Sequence, residues 1–250
     1  MQPQRQLNIQ LVAASSFEPL AELGWRPSPD AAPADAVVEF AGRACYDSFA
    51  DKDSRTASTD AFLHHVIDTG NLALLEHASA TLYMQGISMA TGHEITRHRD
   101  FSITELSQYA IPEDQKGVVV PDAVQRDEQL QQFFKHAIED TAFVYDELHD
   151  AVETSLESEK NALLRKRKVW EAALALAPAA RETRLVVSGN LRAWRSFIAT
   201  RAGEHSGSEL RAVAVRCLEL LSERAPVLFD DFVVTALPDG TKKATTPYEK

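Results

Sequence analysis

The sequence predicts an α+β fold, a mixed sheet with a helix-rich C-terminal half, in one domain over residues 1–250. Three observations predict it. Period-two apolar alternation appears in short stretches near residues 7–11 and 78–87, apolar residues recur at three- and four-residue spacing through most of 128–225, and no repeat or low-complexity linker divides the chain. A chain of 250 residues, 44% hydrophobic and 25% charged, has the length and composition to bury a sizeable core.

The elements follow in order. LNIQLVAASS is a first strand by the alternation of Leu7, Ile9 and Leu11, and the Pro-rich loop GWRPSPDAAPADA leads into helical patterning near Ala34. DAFLHHVIDTG carries Phe62, Val66 and Ile67 on a helix that closes on Gly70, and LLEHASATLYMQGIS then predicts a strand from Ala78 to Ile87. Ser102 and Glu105 have the S-x-x-E spacing of a capping box, which predicts a short helix starting there, with Ser107 and Gln108 just beyond. The clearest helix is DEQLQQFFKHAIEDTAFVYDELHDAVETSLES, where Phe134, Ile138, Thr141, Tyr145, Leu148 and Val152 form a stripe. A second helix runs through NALLRKRKVWEAALALAP to Pro178, a third spans about Asn190 to Glu204, and a fourth runs from Ser208 to Ala225. LFDDFVVTALPDG is a terminal strand and turn.

Composition excludes several function classes. A net charge of −11 disfavours a general grip on nucleic acid, whose binding draws on a broad cationic surface. The N-terminus lacks the pattern of a secretory leader and no apolar run reaches membrane-spanning length, so a cytoplasmic protein with no membrane partner is expected. Cys45 and Cys217, the only cysteines, give neither a disulfide framework nor metal-ligand spacing and read as buried thiols. No metal is expected. A nucleophilic Cys45 is a lesser alternative, because no histidine lies near it in sequence. No Gly-rich phosphate loop occurs, so a bound nucleotide would be held by side chains.

Against this acidic background, local cations stand out. Arg97 and Arg99 offer forked, permanent donors suited to phosphate or ring carbonyls, and His98 adds a group that can stack or donate. A solvated turn with salt bridges is the plain alternative. Asn190, Trp194, Phe197, Arg201 and His205, spaced four, three, four and four, lie along one helical face, for which an ordinary amphipathic helix is the alternative. His77, between apolar runs, reads on its own as a satisfied buried histidine, and RKRK at 165–168 as a solvated helix face.

Arg97, His98 and Arg99, seven residues and then Ser107 resemble the signature of the flavin-dependent thymidylate synthases. FAGRACYDSF, LLEHASATLY, VVVP at 118–121 and VVSGNLRAWRSFIATRAGEH resemble segments of that family in the same order. The resemblance implies a homotetramer with shared active sites, FAD as cofactor, NADPH as reductant, and methylenetetrahydrofolate as one-carbon donor to dUMP, with no enzyme nucleophile. By position, it implies flavin contacts from Arg97, His98, Arg99, Glu105, Asn190, Arg192 and His205, with His77 near the flavin. It places dUMP against Glu94, Ser107, Gln108 and Arg201, the last polarising the uracil ring. Tyr109 and Leu174 stand where the family has phosphate-binding arginines, and Met89, Asp100 and Trp170 also depart from its pattern. These departures frame an alternative, a flavoenzyme of this fold acting on another nucleotide or an aromatic substrate. A non-catalytic flavin-binding protein is a third reading.

Overall fold

The computed structural model describes residues 4–50, 54–109 and 117–248. Strand alternation sets its β layer. In β1 (Asn8–Ala14), Ile9 is buried between the exposed Asn8 and Gln10, and in β2 (Ser79–Ser88), Ala80, Leu82 and Met84 are buried while Thr81, Tyr83 and Gln85 are half-buried. With β3 (Ser102–Glu105) and β4 (Glu182–Asn190), these make a four-stranded sheet in the order β1-β2-β4-β3. The architecture is α+β.

The described residues form two compact units, each assembled from separated stretches of chain. One draws on 1–7, 85–93 and 105–184, the other on 8–84, 94–104 and 185–250.

The larger unit holds most of the helical core. α1 (Pro33–Cys45) starts with proline at its first position, where the missing N–H costs nothing. α2 (Thr59–Asp68) is capped by the Ser58 hydroxyl, which accepts from the Ala61 N–H, and it buries Leu63, Val66 and Ile67. Gly70 follows with φ of 70°, the expected C-terminal stop. α7 (Leu191–Arg201) and α8 (Ser208–Ser222) pack on each other, and the terminal segment is an antiparallel hairpin of β5 (Val233–Ala236) and β6 (Lys242–Thr245). Two arginines are wholly buried here with partners: Arg43 meets Glu39 at 2.6 Å, and Arg195 meets Asp231 at 2.6 and 2.9 Å. Burial would raise the Asp231 carboxyl, but bonds from Arg195 and Thr246 outweigh it and hold it below its ordinary value.

In the smaller unit, α3 (Met89–Thr96) begins beside the chain near Arg181, whose carbonyl accepts the Met89 N–H. The short α4 (Asp122–Gln125) precedes α5 (Glu128–Ser155), capped by Asp127, and α6 (Ala162–Leu174), capped by Asn161; these two long helices pack together. The stripe on α5 is confirmed, with Tyr145 buried and Phe134, Ile138, Thr141, Leu148 and Val152 half-buried.

Two expectations are corrected. Ser102–Glu105 is a strand, and no helix begins within the described residues 102–109. Sheet pairing outcompetes the capping pattern: the Leu106 N–H donates to the Arg184 carbonyl at 2.9 Å, which continues the strand beside β4. Cys45 is exposed, while Cys217 is buried as expected. No described helix is long and apolar enough to cross a membrane.

Asp35 on α1 is fully buried, with Oδ2 accepting from the Val227 N–H at 3.3 Å and the carboxylate also accepting from the Leu228 backbone. Desolvation pushes its carboxyl up from 3.8 to about 7. A raised folded pKa means that the protonated form is favoured, so this contribution to stability is full below 3.8 and is lost as pH rises through about 7, over a range of about 4 kcal/mol. Asp35→Asn is expected to flatten that dependence and leave the variant more stable than wild type at pH 8; denaturant midpoints measured from pH 4 to 8 check it.

Candidate functional site

The residues singled out in the sequence fall into two groups, one in each unit. In the larger unit, α7 is anchored by Asn190, whose side-chain oxygen accepts from the Ala193 N–H at 2.8 Å, and it ends on Arg201. The apolar part of the helical stripe turns inward: Trp194 and Phe197 are both fully buried, and the Trp194 indole N–H donates to the Ala80 carbonyl at 3.1 Å. They are core. Their contribution to the site is a wall, because Phe101 stacks against Trp194 at 4.4 Å and His98 meets the edge of Phe197 at 5.0 Å.

On that wall, the Arg201 Nε–H donates to His98 Nε2 at 3.0 Å, and an Arg201 terminal nitrogen lies 3.6 Å from a Glu94 oxygen. Burial first, and then the Arg201 charge, hold His98 below its ordinary 6.5. Arg97 and Arg99 project into solvent on either side of His98, and neither makes an ion pair among the described residues. The salt-bridged-turn reading is therefore not what forms. His77 ends a 3-10 turn (Leu72–His77) and is exposed, which corrects its reading as a buried histidine. Arg192 pairs with Glu76 at 2.6 Å, and His205 is exposed beyond the end of α7.

In the smaller unit, the segment Glu105–Tyr109 is held to β4. The Thr183 hydroxyl donates to Glu105 Oε1 at 2.8 Å, and the Gln108 amide donates to the Glu182 carbonyl at 3.1 Å. Glu182 is itself buried and accepts from the Gly86 N–H at 3.1 Å, with Arg5 and Arg184 at 3.1 and 3.4 Å. Gly86 has φ of 70°, and a Cβ there would come within 1.8 Å of the Gln6 carbonyl oxygen, so only glycine lets this strand lie so close to the Gln6–Leu7 backbone. Ser107 and Tyr109 are exposed. The Tyr109 ring lies 6.2 Å from Trp170, and the Lys166 ammonium sits 4.4 Å over the Trp170 ring. That partly absorbs the RKRK row, whose Lys168 pairs with Glu159.

Glu182 and Thr183 were not read from the sequence. Nothing in RETRLVV marks them, because their roles come from strand pairing across a separation of more than 70 residues.

Residues 30–227 match the family of thymidylate synthase complementing proteins. The chain belongs to that family. Among its curated relatives, the flavin-dependent thymidylate synthase of Corynebacterium efficiens is 50% identical over 97% of this chain and 96% of the relative. That of Corynebacterium glutamicum is 48% identical over 99% and 98%, and that of Mycobacterium tuberculosis 44% identical over 96% of each. The family match includes every site residue named above, from His77 to His205, and it bears out the resemblance first read from Arg97, His98, Arg99 and Ser107.

Gly92 on α3 supplies space. A Cβ there would lie 2.7 Å from the Thr183 methyl, and Thr183 is fully buried. Gly92→Ala is expected to lose about 1–3 kcal/mol despite its better helix propensity. Adding Thr183→Ser, which removes that methyl and keeps the hydroxyl, is expected to recover much of the loss; urea titration of the single and double variants decides it.

Proposed function

We infer that the protein is a flavin-dependent thymidylate synthase: it converts dUMP to dTMP by reductive methylation, with methylenetetrahydrofolate as carbon donor and NADPH as reductant. The observation that carries this is near-full-length identity of 44–50% to enzymes of that name, in a chain that keeps Arg97, His98, Arg99 and Ser107 at the signature spacing. The donor set fits FAD. Arg97 and Arg99 are exposed guanidiniums with no ion-pair partner among the described residues, the requirement for gripping a pyrophosphate in a chain without a Gly-rich loop. When bound, the flavin supplies the hydride chemistry.

The chain's own residues do the rest. Arg97, His98, Arg99, Glu105, Asn190, Arg192 and His205 are assigned to the cofactor, with His77 beside it. Glu94, Ser107, Gln108 and Arg201 are assigned to dUMP. Arg201 places a permanent positive charge where a uracil carbonyl gains negative charge, and it needs no proton transfer to do so. The proposed reaction uses no cysteine nucleophile; burial pushes the Cys217 thiol far up, and Cys45 lies exposed at the end of α1. A homotetramer in the cytoplasm, with sites shared between subunits, completes the reading.

An anaerobic titration of the FAD-loaded protein with dUMP, followed by NADPH and methylenetetrahydrofolate, tests it. A saturable change in flavin absorbance and formation of dTMP are expected, and a flavin that is reduced but ignores dUMP would refute the assignment. Arg201→Lys is expected to lower kcat by about 10²–10³-fold with FAD retained, while Cys45→Ser leaves dTMP formation unchanged. Product assays by chromatography measure both.

A further inference from the structure

Arg201 does not approach His98 with a terminal nitrogen; it uses Nε, at 3.0 Å from His98 Nε2. An arginine side chain has donors only, so His98 Nε2 must present its lone pair, which makes the ring neutral with its proton on Nδ1. The ring is wedged in that orientation by Phe197, edge-on at 5.0 Å, and by Phe101 at 6.1 Å. The guanidinium is thus held from behind, through its least mobile nitrogen, and its terminal nitrogens are left to point elsewhere, one of them 3.6 Å from Glu94.

We propose that His98 is a positioning residue for Arg201: as a neutral acceptor, it fixes the plane of the guanidinium that faces the uracil ring. This gives the middle residue of the Arg-His-Arg run a task different from that of its neighbours. Arg97 and Arg99 offer charge to an anion, whereas His98 works only without charge. The proposal rests on the assignment of Arg201 to the uracil ring.

Protonation would undo the arrangement. His98 Nε2–H would then face Arg201 Nε–H, two cations with no acceptor between them. The charged groups facing the ring are Arg201 on α7, Glu94 on α3 and Asp100 in the following turn; burial and Arg201 lower the proton affinity of His98, and the two carboxylates raise it by less. The neutral form is therefore the working one above the lowered pKa, and Arg201 loses its support as pH falls through a value below 6.5.

The test uses the FAD-loaded holoenzyme and two variants. His98→Gln places an amide oxygen near the position of Nε2 and cannot titrate, while His98→Phe keeps a ring without an acceptor. Wild type is expected to show an acid limb in kcat below pH 6.5. At FAD concentrations that saturate each variant, H98Q is expected to retain kcat at pH 8 within about tenfold of wild type and to lose that limb, and H98F to fall about 10²-fold at every pH. H98Q no better than H98F at saturating FAD, or an acid limb that persists in H98Q, would each overturn the proposal. Neutron diffraction of the wild-type protein at pH 8 gives a readout apart from catalysis: deuterium on Nδ1 and none on Nε2 is expected, and deuterium on Nε2 overturns it. A wild type with that tautomer that makes no dTMP refutes the thymidylate synthase assignment and leaves the Arg201–His98 arrangement standing.

Discussion

The structure depends on the pairing of β4 along both of its edges. With β2 on one side and β3 on the other, its backbone groups pair along both edges, and four of its nine residues, Glu182, Thr183, Leu185 and Val187, are buried. The same strand supplies side chains of two kinds. Leu185 and Val187 are fully buried in the larger unit, while Glu182 and Thr183 organise the Glu105–Gln108 segment in the smaller one. Each bond from Thr183 or to Glu182 is modest, of the order of 1 kcal/mol net. Their importance is geometric, since they fix an exposed carboxylate and an amide that would otherwise move freely.

Burial of charge is the second constraint, and apart from Asp35 the largest buried charges meet it with partners. Glu39 is fully buried, yet it accepts from Arg43 Nε and from the Thr59 hydroxyl, both at 2.6 Å, and Arg43 also reaches the Thr56 carbonyl at 2.7 Å. Arg195 is doubly bonded to Asp231 and also donates to the Leu228 carbonyl. Such pairs add little net stability over apolar packing, but losing one partner strands a buried charge. They therefore fix which surfaces can meet, and they tie α1 to α2 and α7 to the turn that follows α8. FAGRACYDSF owes Arg43 to this network, a structural reason for a segment that the sequence alone presents only as a resemblance.

How much of this the sequence made legible follows from what each signal depends on. Helices α1, α2, α5, α6, α7 and α8 were readable because period, cap and stop are local: Pro33, Ser58, Gly70, Asp127 and Asn161 all lie within a few residues of the ends that they mark. The strand at 102–105 was misread because S-x-x-E is equally local, and the pairing with β4 that overrides it is not. α3 was missed because MATGHEIT has little helical propensity and no apolar stripe, and β4 because it lies directly against the stronger helical signal of α7. Within the site, Arg97, His98, Arg99 and Arg201 were legible as residue types. The bond from Arg201 to His98 was not, because the two stand 103 residues apart.

The distribution of cations shows how an acidic chain can take an anionic cofactor. Of its 26 lysines and arginines, many are already committed: Arg5 and Arg184 to Glu182, Arg126 to Asp122, Arg216 and Lys242 to Glu219, Lys243 to Glu204. The net charge of −11 means that the surrounding field repels anions in general and adds nothing to their capture. An anion held at Arg97 and Arg99 must then be held by directional bonds at short range, where a guanidinium fork acts and the long-range field matters least. Long-range repulsion combined with strong bonds on contact favours a ligand that can satisfy several forks at once. A pyrophosphate offers several acceptors to such forks, whereas a lone inorganic anion offers fewer.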